Sequence, residues 1–117
     1  MDGFKNKFIK LVEKIRNGDI LTKDLDSYVK DISNKKFFSD AIKDLMDNKD
    51  YLVKVLAARY CYDYDIDKSR AYSIARLVLR NDKTVVCRIE AKYIYDDYKR
   101  RHIRKLIRFF NKKKYTK

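Results

Sequence analysis

Residues 4–16 read FKNKFIKLVEKIR. Apolar side chains recur in this stretch every three or four positions, with lysines between them, at Phe4, Phe8, Leu11, Val12 and Ile15. This spacing places them on one face of a helix. We expect Asp2 to cap that helix and Asn17-Gly18 to end it. The stretch therefore predicts an amphipathic helix at the start of a helical protein.

The same periodicity continues along the chain and predicts further helices at 22–32, at about 36–46, from about residue 50, and after residue 67. Thr22 and Asp67 are the expected caps of two of these helices, and Asp82 is the expected cap of a last helical segment. The positions expected to be buried are Leu25, Tyr28, Val29, Ile32, Phe38, Ala41, Ile42, Leu45, Met46, Leu52, Val55, Leu56, Tyr60, Ala71, Ile74, Ala75 and Val78.

Two segments, residues 60–67 and 84–95, alternate between apolar and polar side chains, which is the pattern of a strand. Residues 84–98 also hold a helical stripe at Cys87, Ala91, Ile94, Tyr95 and Tyr98. Helix is favoured there because Glu, Ala and Lys at 90–92 are weak strand formers. The predicted fold is therefore mainly α, a compact bundle of about five or six helices ending in a basic amphipathic helix. The alternative is an α+β fold with a strand-helix-strand unit at 59–95.

The chain has 117 residues, two glycines and no proline, which is the size of one domain and disfavours a fold rich in tight turns. We expect residues 1–110 to form a single helical domain and residues 111–117 to be a basic, flexible C-terminal tail. A globule of this length has a radius of gyration near ~13 Å.

Positive charge is concentrated at the C-terminal end. Thirty Lys+Arg against 17 Asp+Glu give +13, and residues 99–117 hold ten basic and no acidic side chains. Such a segment attracts polyanions, and we expect nucleic acid, RNA or DNA, as the partner, bound through phosphates without sequence specificity. The expected binding residues are Lys99, Arg100, Arg101, Arg104, Lys105, Arg108, Lys112, Lys113 and Lys114.

Other functions fit the same charge pattern. The basic segment could serve a non-enzymatic protein-interaction module, such as an inhibitor or a viral host-factor antagonist, on an acidic protein or an anionic membrane surface. It could also only solubilise the chain. In size, charge and helical pattern the chain is similar to small helical nucleic-acid-associated proteins, among them the small helical subunits of multi-subunit RNA-guided effector complexes. This similarity covers no motif and assigns no residue, but it would allow a role as one subunit of an assembly.

The basic segment also has an apolar side. Ile103, Leu106, Ile107 and Phe110 fall on one helical face, which we expect to dock on the other helices and leave the basic face to solvent. Tyrosines accompany arginines from residue 51 onward and could stack unpaired bases. Any single tyrosine is nevertheless expected to be partly buried, with its hydroxyl at the rim.

The sequence predicts no enzyme, metal site or cofactor. Asp63, Asp65 and Asp67 resemble half of a calcium loop, but Lys68 and Ile74 occupy the positions that need Gly and Glu. His102 is the only histidine, and it lies among arginines. Cys61 and Cys87 are expected to be free thiols in a reducing compartment, cytoplasmic, or nuclear or host-cytoplasmic if the protein is viral. No run of eighteen apolar residues predicts a membrane span.

Overall fold

Residues 2–115 of the chain fold into six helices. The computed structural model describes the backbone of residues 2–115 and the side chains of residues 3–111. The helices are α1 (Asp2–Arg16), α2 (Thr22–Ile32), α3 (Phe38–Leu45), α4 (Tyr51–Asp63), α5 (Lys68–Asn81) and α6 (Val85–Tyr115). Residues 2–115 contain no strand, so the mainly-α prediction is confirmed and the strand-helix-strand alternative is wrong. The alternating pattern of 60–67 covers the end of α4 and the turn after it, and that of 84–95 lies almost wholly within α6.

Helix α4 is the centre of the bundle. It packs against α1, α3, α5 and α6, and nine of its 13 residues are buried. Its hydrophobicity on nearly all sides follows from this position, because a helix covered all round needs no polar face. The buried positions expected from periodicity in α1 to α5 are confirmed, with Leu11, Ile15, Tyr28 and Ile32 at the edge of the core.

Short side chains and one glycine fix the helix ends. Gly18 adopts φ 81° just after α1, a left-handed conformation that costs glycine little. The carboxylate of Asp50 accepts a hydrogen bond from the Leu52 N–H at the start of α4, and Asp67 caps α5 as predicted. Thr22 is not a cap: it is the first residue of α2. The carboxylate of Asp24 instead accepts a hydrogen bond from the backbone N–H of Leu21, at 2.9 Å.

The last helix is much longer than the helices it packs on. Helix α6 has 31 residues, whereas α4 has 13 and α5 has 14. At 1.5 Å per residue, α6 is roughly 46 Å long, whereas α4 and α5 are each about 20 Å long. Cys87, Ala91 and Ile94 of α6 are buried, and Tyr95 and Tyr98 pack at the edge of the core. Every side chain from Lys99 to Asn111 is exposed. We call residues 99–115 the overhang.

Two predictions are corrected by the overhang. The apolar stripe does not dock on the other helices: Ile103, Leu106, Ile107 and Phe110 are between 46% and 64% exposed. The radius of gyration is 16.3 Å rather than ~13 Å, because α6 lengthens the molecule to 58 Å along its longest axis. The backbone of residues 111–115 continues α6 as helix. A domain boundary at residue 110 and a flexible tail stay predictions, and residues 116 and 117 lie outside the described part.

Candidate nucleic-acid interface

The overhang has two different sides. One helical residue turns the chain by about 100°. The reference direction is the line of buried side chains on α6, through Cys87, Ala91 and Ile94. By that count the apolar stripe centres roughly 140° around the helix from this line. The basic side chains centre roughly 60° from it, and they are Arg101, Arg104, Lys105 and Arg108. The basic side therefore continues the face that α6 turns toward the bundle. The apolar side points away from the bundle.

A cleft of about 700 Å³ lies in the corner between the overhang and the ends of α4 and α5. One wall is formed by Tyr62 of α4 and Lys68 of α5. The other wall belongs to α6 and consists of Asp97, Tyr98, Arg100, Arg101, His102, Arg104, Lys105 and Arg108. Six cations thus surround one space that holds a single carboxylate, which favours an anionic occupant.

Lys68 is a member of this cleft that sequence reasoning missed. Its Nζ lies 4.9 Å from the centre of the Tyr62 ring and 4.0 Å from the Asp65 carboxylate. It is the first residue of α5, about thirty positions before the basic segment. Only the packing of α5 against α6 brings it there, so no local pattern could have identified it.

Asp97 compensates two of the predicted binding residues. Its carboxylate accepts hydrogen bonds from Arg100 at 3.0 Å and from Arg101 at 2.8 Å, and a short one from the Tyr62 hydroxyl. The Tyr62 bond is the main cause that lowers the pKa of Asp97, so this carboxylate is charged at neutral pH. The segment from residue 99 onward holds no carboxylate, as the sequence shows, but Asp97, two positions before it, compensates these two arginines.

The other predicted cations fall into three groups. Arg104, Lys105 and Arg108 line the cleft and make no ion pair with any residue the structure describes, so their charges are available to a ligand. Lys99 lies away from the cleft, with its Nζ 4.9 Å from the centre of the Tyr95 ring. The side chains of Lys112, Lys113 and Lys114 are outside the described residues, although the backbone there is helical.

A column of stacked rings anchors α6 at the point where it leaves the bundle. Tyr72 of α5 lies between Tyr95 and Tyr98, with ring centres 5.5 Å and 4.4 Å apart. His102 stacks on the far side of Tyr98 at 6.5 Å. The three tyrosines are half-buried, as predicted for single tyrosines, and only His102 is exposed. The column holds the root of the overhang in place and borders the cleft with aromatic surface.

The acidic triplet serves the fold. Asp67 caps α5 through the Arg70 N–H, and Asp63 accepts a hydrogen bond from the Tyr93 hydroxyl at 2.7 Å. Within the described residues, no three His, Cys, Asp or Glu side chains lie close enough together to hold a metal ion. None of the described helices combines the length and apolarity needed to cross a bilayer.

Known proteins offer no guide to this cleft. Comparison with protein-family models, with curated proteins and with solved structures gave no significant match in any of the three. The site is a cationic corner: Asp97 partly compensates it at its root, and among the described residues no carboxylate pairs with Arg104, Lys105 or Arg108.

Proposed function

We propose that this protein binds RNA or DNA through phosphate contacts in the cationic cleft, without sequence specificity and without a chemical step. The observation that carries the proposal is the convergence of six cations from two helices on one cleft with a single carboxylate. Phosphates bind Arg and Lys wherever such charges are uncompensated, and arginine adds a planar, two-pronged donor.

The cations of the cleft are expected to contribute unequally to phosphate binding. Arg104 and Arg108 project from the exposed part of the helix without a carboxylate partner among the described residues, so phosphate binding costs them no existing ion pair. Arg100 and Arg101 would have to share or leave Asp97. Because phosphate contacts carry no base information, affinity is expected to depend little on sequence.

The salt dependence of binding tests the proposal. For each phosphate neutralised, log K falls against log salt with a slope of about −0.9 on duplex DNA or about −0.7 on single strands. Arg104→Gln with Arg108→Gln should therefore flatten the slope by about 1.4 units on single strands or about 1.8 units on duplex DNA, and weaken all sequences alike. Arg100→Gln with Arg101→Gln should have a smaller effect, because Asp97 already holds those side chains.

Two lysines on α2 supply the matched control. Lys23 and Lys30 are exposed and distant in sequence from the cleft, and Lys23→Gln with Lys30→Gln removes the same charge. If this control changed slope and affinity as much as the Arg104 and Arg108 variant, only net charge would matter and the cleft would not be the site. If neither RNA, single-stranded DNA nor duplex DNA bound at about 50 mM salt, the proposal would be wrong. The protein-interaction module on an acidic partner would then be the better proposal.

A further inference from the structure

The apolar stripe of the overhang has no role in the cleft. Ile103, Leu106, Ile107 and Phe110 lie on the side of α6 that points away from the bundle, and all four are exposed. Monomeric soluble proteins rarely leave large apolar side chains contiguous on the surface, and such patches mark contact sites. The stripe is therefore a second surface that needs its own explanation.

The same side of α6 is apolar at its other end. Val85 and Ile89 are 69% and 63% exposed, and by about 100° per residue they lie within roughly 50° of the stripe. Between the two apolar ends, this side holds the exposed lysines Lys92 and Lys99 and the carboxylate of Asp96. A line of apolar and cationic side chains thus runs along most of α6.

The shape of this line restricts what can cover it. It lies on the side of α6 that points away from the bundle, so a flat surface can touch it without meeting α4 or α5. A second copy is disfavoured, because residues 99–111 hold six cations and no carboxylate and two overhangs would repel each other. The four-residue stripe is also short for a stable dimer, which buries about 1,200–2,000 Å² in total.

We propose that α6 lies on an anionic lipid surface along this line, with the stripe at the boundary between headgroups and acyl chains. Helices with Phe, Leu and Ile on one side and Lys and Arg over the rest partition into that boundary. The long stems of Lys92 and Lys99 let their ammonium groups reach the headgroups while the helix sinks between them. Lys92 and Lys99 on this line, together with the cations over the rest of the overhang, match a continuous anionic layer, whereas a protein would have to place single carboxylates at each of them. This inference does not depend on nucleic-acid binding, since the cleft lies on the other side of the helix.

The absence of tryptophan from the chain allows a direct test. Phe110→Trp introduces a single reporter in the stripe, and Leu21→Trp introduces one at an exposed apolar position just before α2. Vesicles of phosphatidylcholine with phosphatidylserine should shift the emission of the Phe110 reporter to the blue and float the full-length protein. Phosphatidylcholine alone should do neither, and the Leu21 reporter should stay unshifted with both.

A charge-neutral variant separates insertion from simple attraction. Ile103→Gln with Ile107→Gln should reduce binding to the anionic vesicles by at least about tenfold. Leu21→Gln with Leu77→Gln, which removes two exposed leucines elsewhere, should leave binding unchanged. Circular dichroism should show the same helix content in both, because all four positions are exposed.

Three results would overturn the proposal. The first is failure of the wild-type protein to float with phosphatidylserine vesicles. The second is flotation of the Ile103 and Ile107 variant as strong as wild type, which would mean attraction by charge alone. The third is a dimer in sedimentation velocity that the same variant abolishes, which would assign the stripe to a second copy. None of these results would alter the salt slope that tests the cleft.

Discussion

Replacing isoleucine by alanine at two positions of α6 should give two very different free energies of unfolding. Ile94 is fully buried, at 0% exposure, whereas Ile103 is 52% exposed. Ile94→Ala deletes three buried carbons, worth about 2.4 kcal/mol of transfer free energy at about 0.8 kcal/mol each. The cavity left behind brings the loss to about 3 kcal/mol, or roughly 12 °C in melting temperature at about 4 °C per kcal/mol.

Ile103→Ala should be almost neutral. Half of the side chain is already in water, and alanine has the better helix propensity by about 0.4 kcal/mol. The two terms nearly cancel, so the expected change is within about 0.5 kcal/mol.

Urea unfolding followed by circular dichroism measures both values, and equal m-values would show that the same surface unfolds in each protein. A loss above about 1.5 kcal/mol for Ile103→Ala would mean that the stripe is docked in the folded state. That result would refute the overhang and restore the expectation drawn from the sequence. A loss below about 1 kcal/mol for Ile94→Ala would instead mean that α6 is not held by the core at all.

Three further predictions concern the bundle. Burial raises the pKa of both thiols, Cys61 and Cys87, to about 12, so a thiol reagent at about pH 8 should label neither until urea is added. Arg59 is largely buried between two carboxylates. Arg59→Gln should lower the free energy of unfolding in urea by about 3 kcal/mol, because it leaves both carboxylates uncompensated. An unfolding midpoint equal to that of the wild type would contradict this prediction. Burial would raise the pKa of Asp50, but its hydrogen bond from Arg16 and other contacts outweigh that and lower it below 3.8. The carboxylate therefore stabilises the fold above about pH 4 and loses this effect as pH falls through its folded pKa. Asp50→Asn should flatten the acid limb of a stability profile.

The helices were predictable from the sequence because local rules determine them, but of the predicted caps only Asp67 is confirmed. Apolar side chains at helical spacing give each helix one side to bury, and these side chains form the core from Phe4 to Ile94. Asp67 was identifiable as a cap, since a short acceptor ahead of an apolar period is a local signal. Thr22 is not the cap because α2 begins one residue earlier than expected: Leu21 is the N-cap residue, and its N–H donates to the Asp24 carboxylate.

The cleft was only half predictable. Its α6 wall is a run of cations that charge counting finds directly, from Arg100 to Arg108. Its other wall could not be predicted in this way, because Tyr62 and Lys68 lie on helices far away in sequence and only the packing of the bundle brings them to the cleft. The role of Asp97 was missed, although the sequence contained its signal. Asp97 precedes the basic segment by two positions, and its partners lie three and four residues later, which is the spacing of a helical ion pair.

The sequence also contained a signal against docking of the stripe. In a continuous helix at about 100° per residue, the buried line through Cys87, Ala91 and Ile94 and the later stripe are separated by roughly 140°. A straight helix that packs on one side of the bundle cannot turn both lines toward it, so one of the two lines must face outward. The short connection at residues 82–84 keeps the start of α6 beside α5, and the early line is the one that packs in the core, which leaves the stripe as the outward one. Once a single helix was expected from residue 84 into the basic segment, the rotation between its two apolar lines was sufficient to predict the overhang. The basic side then had to lie toward the corner and the apolar side away from it, which is the arrangement on which both the nucleic-acid and the lipid proposals depend.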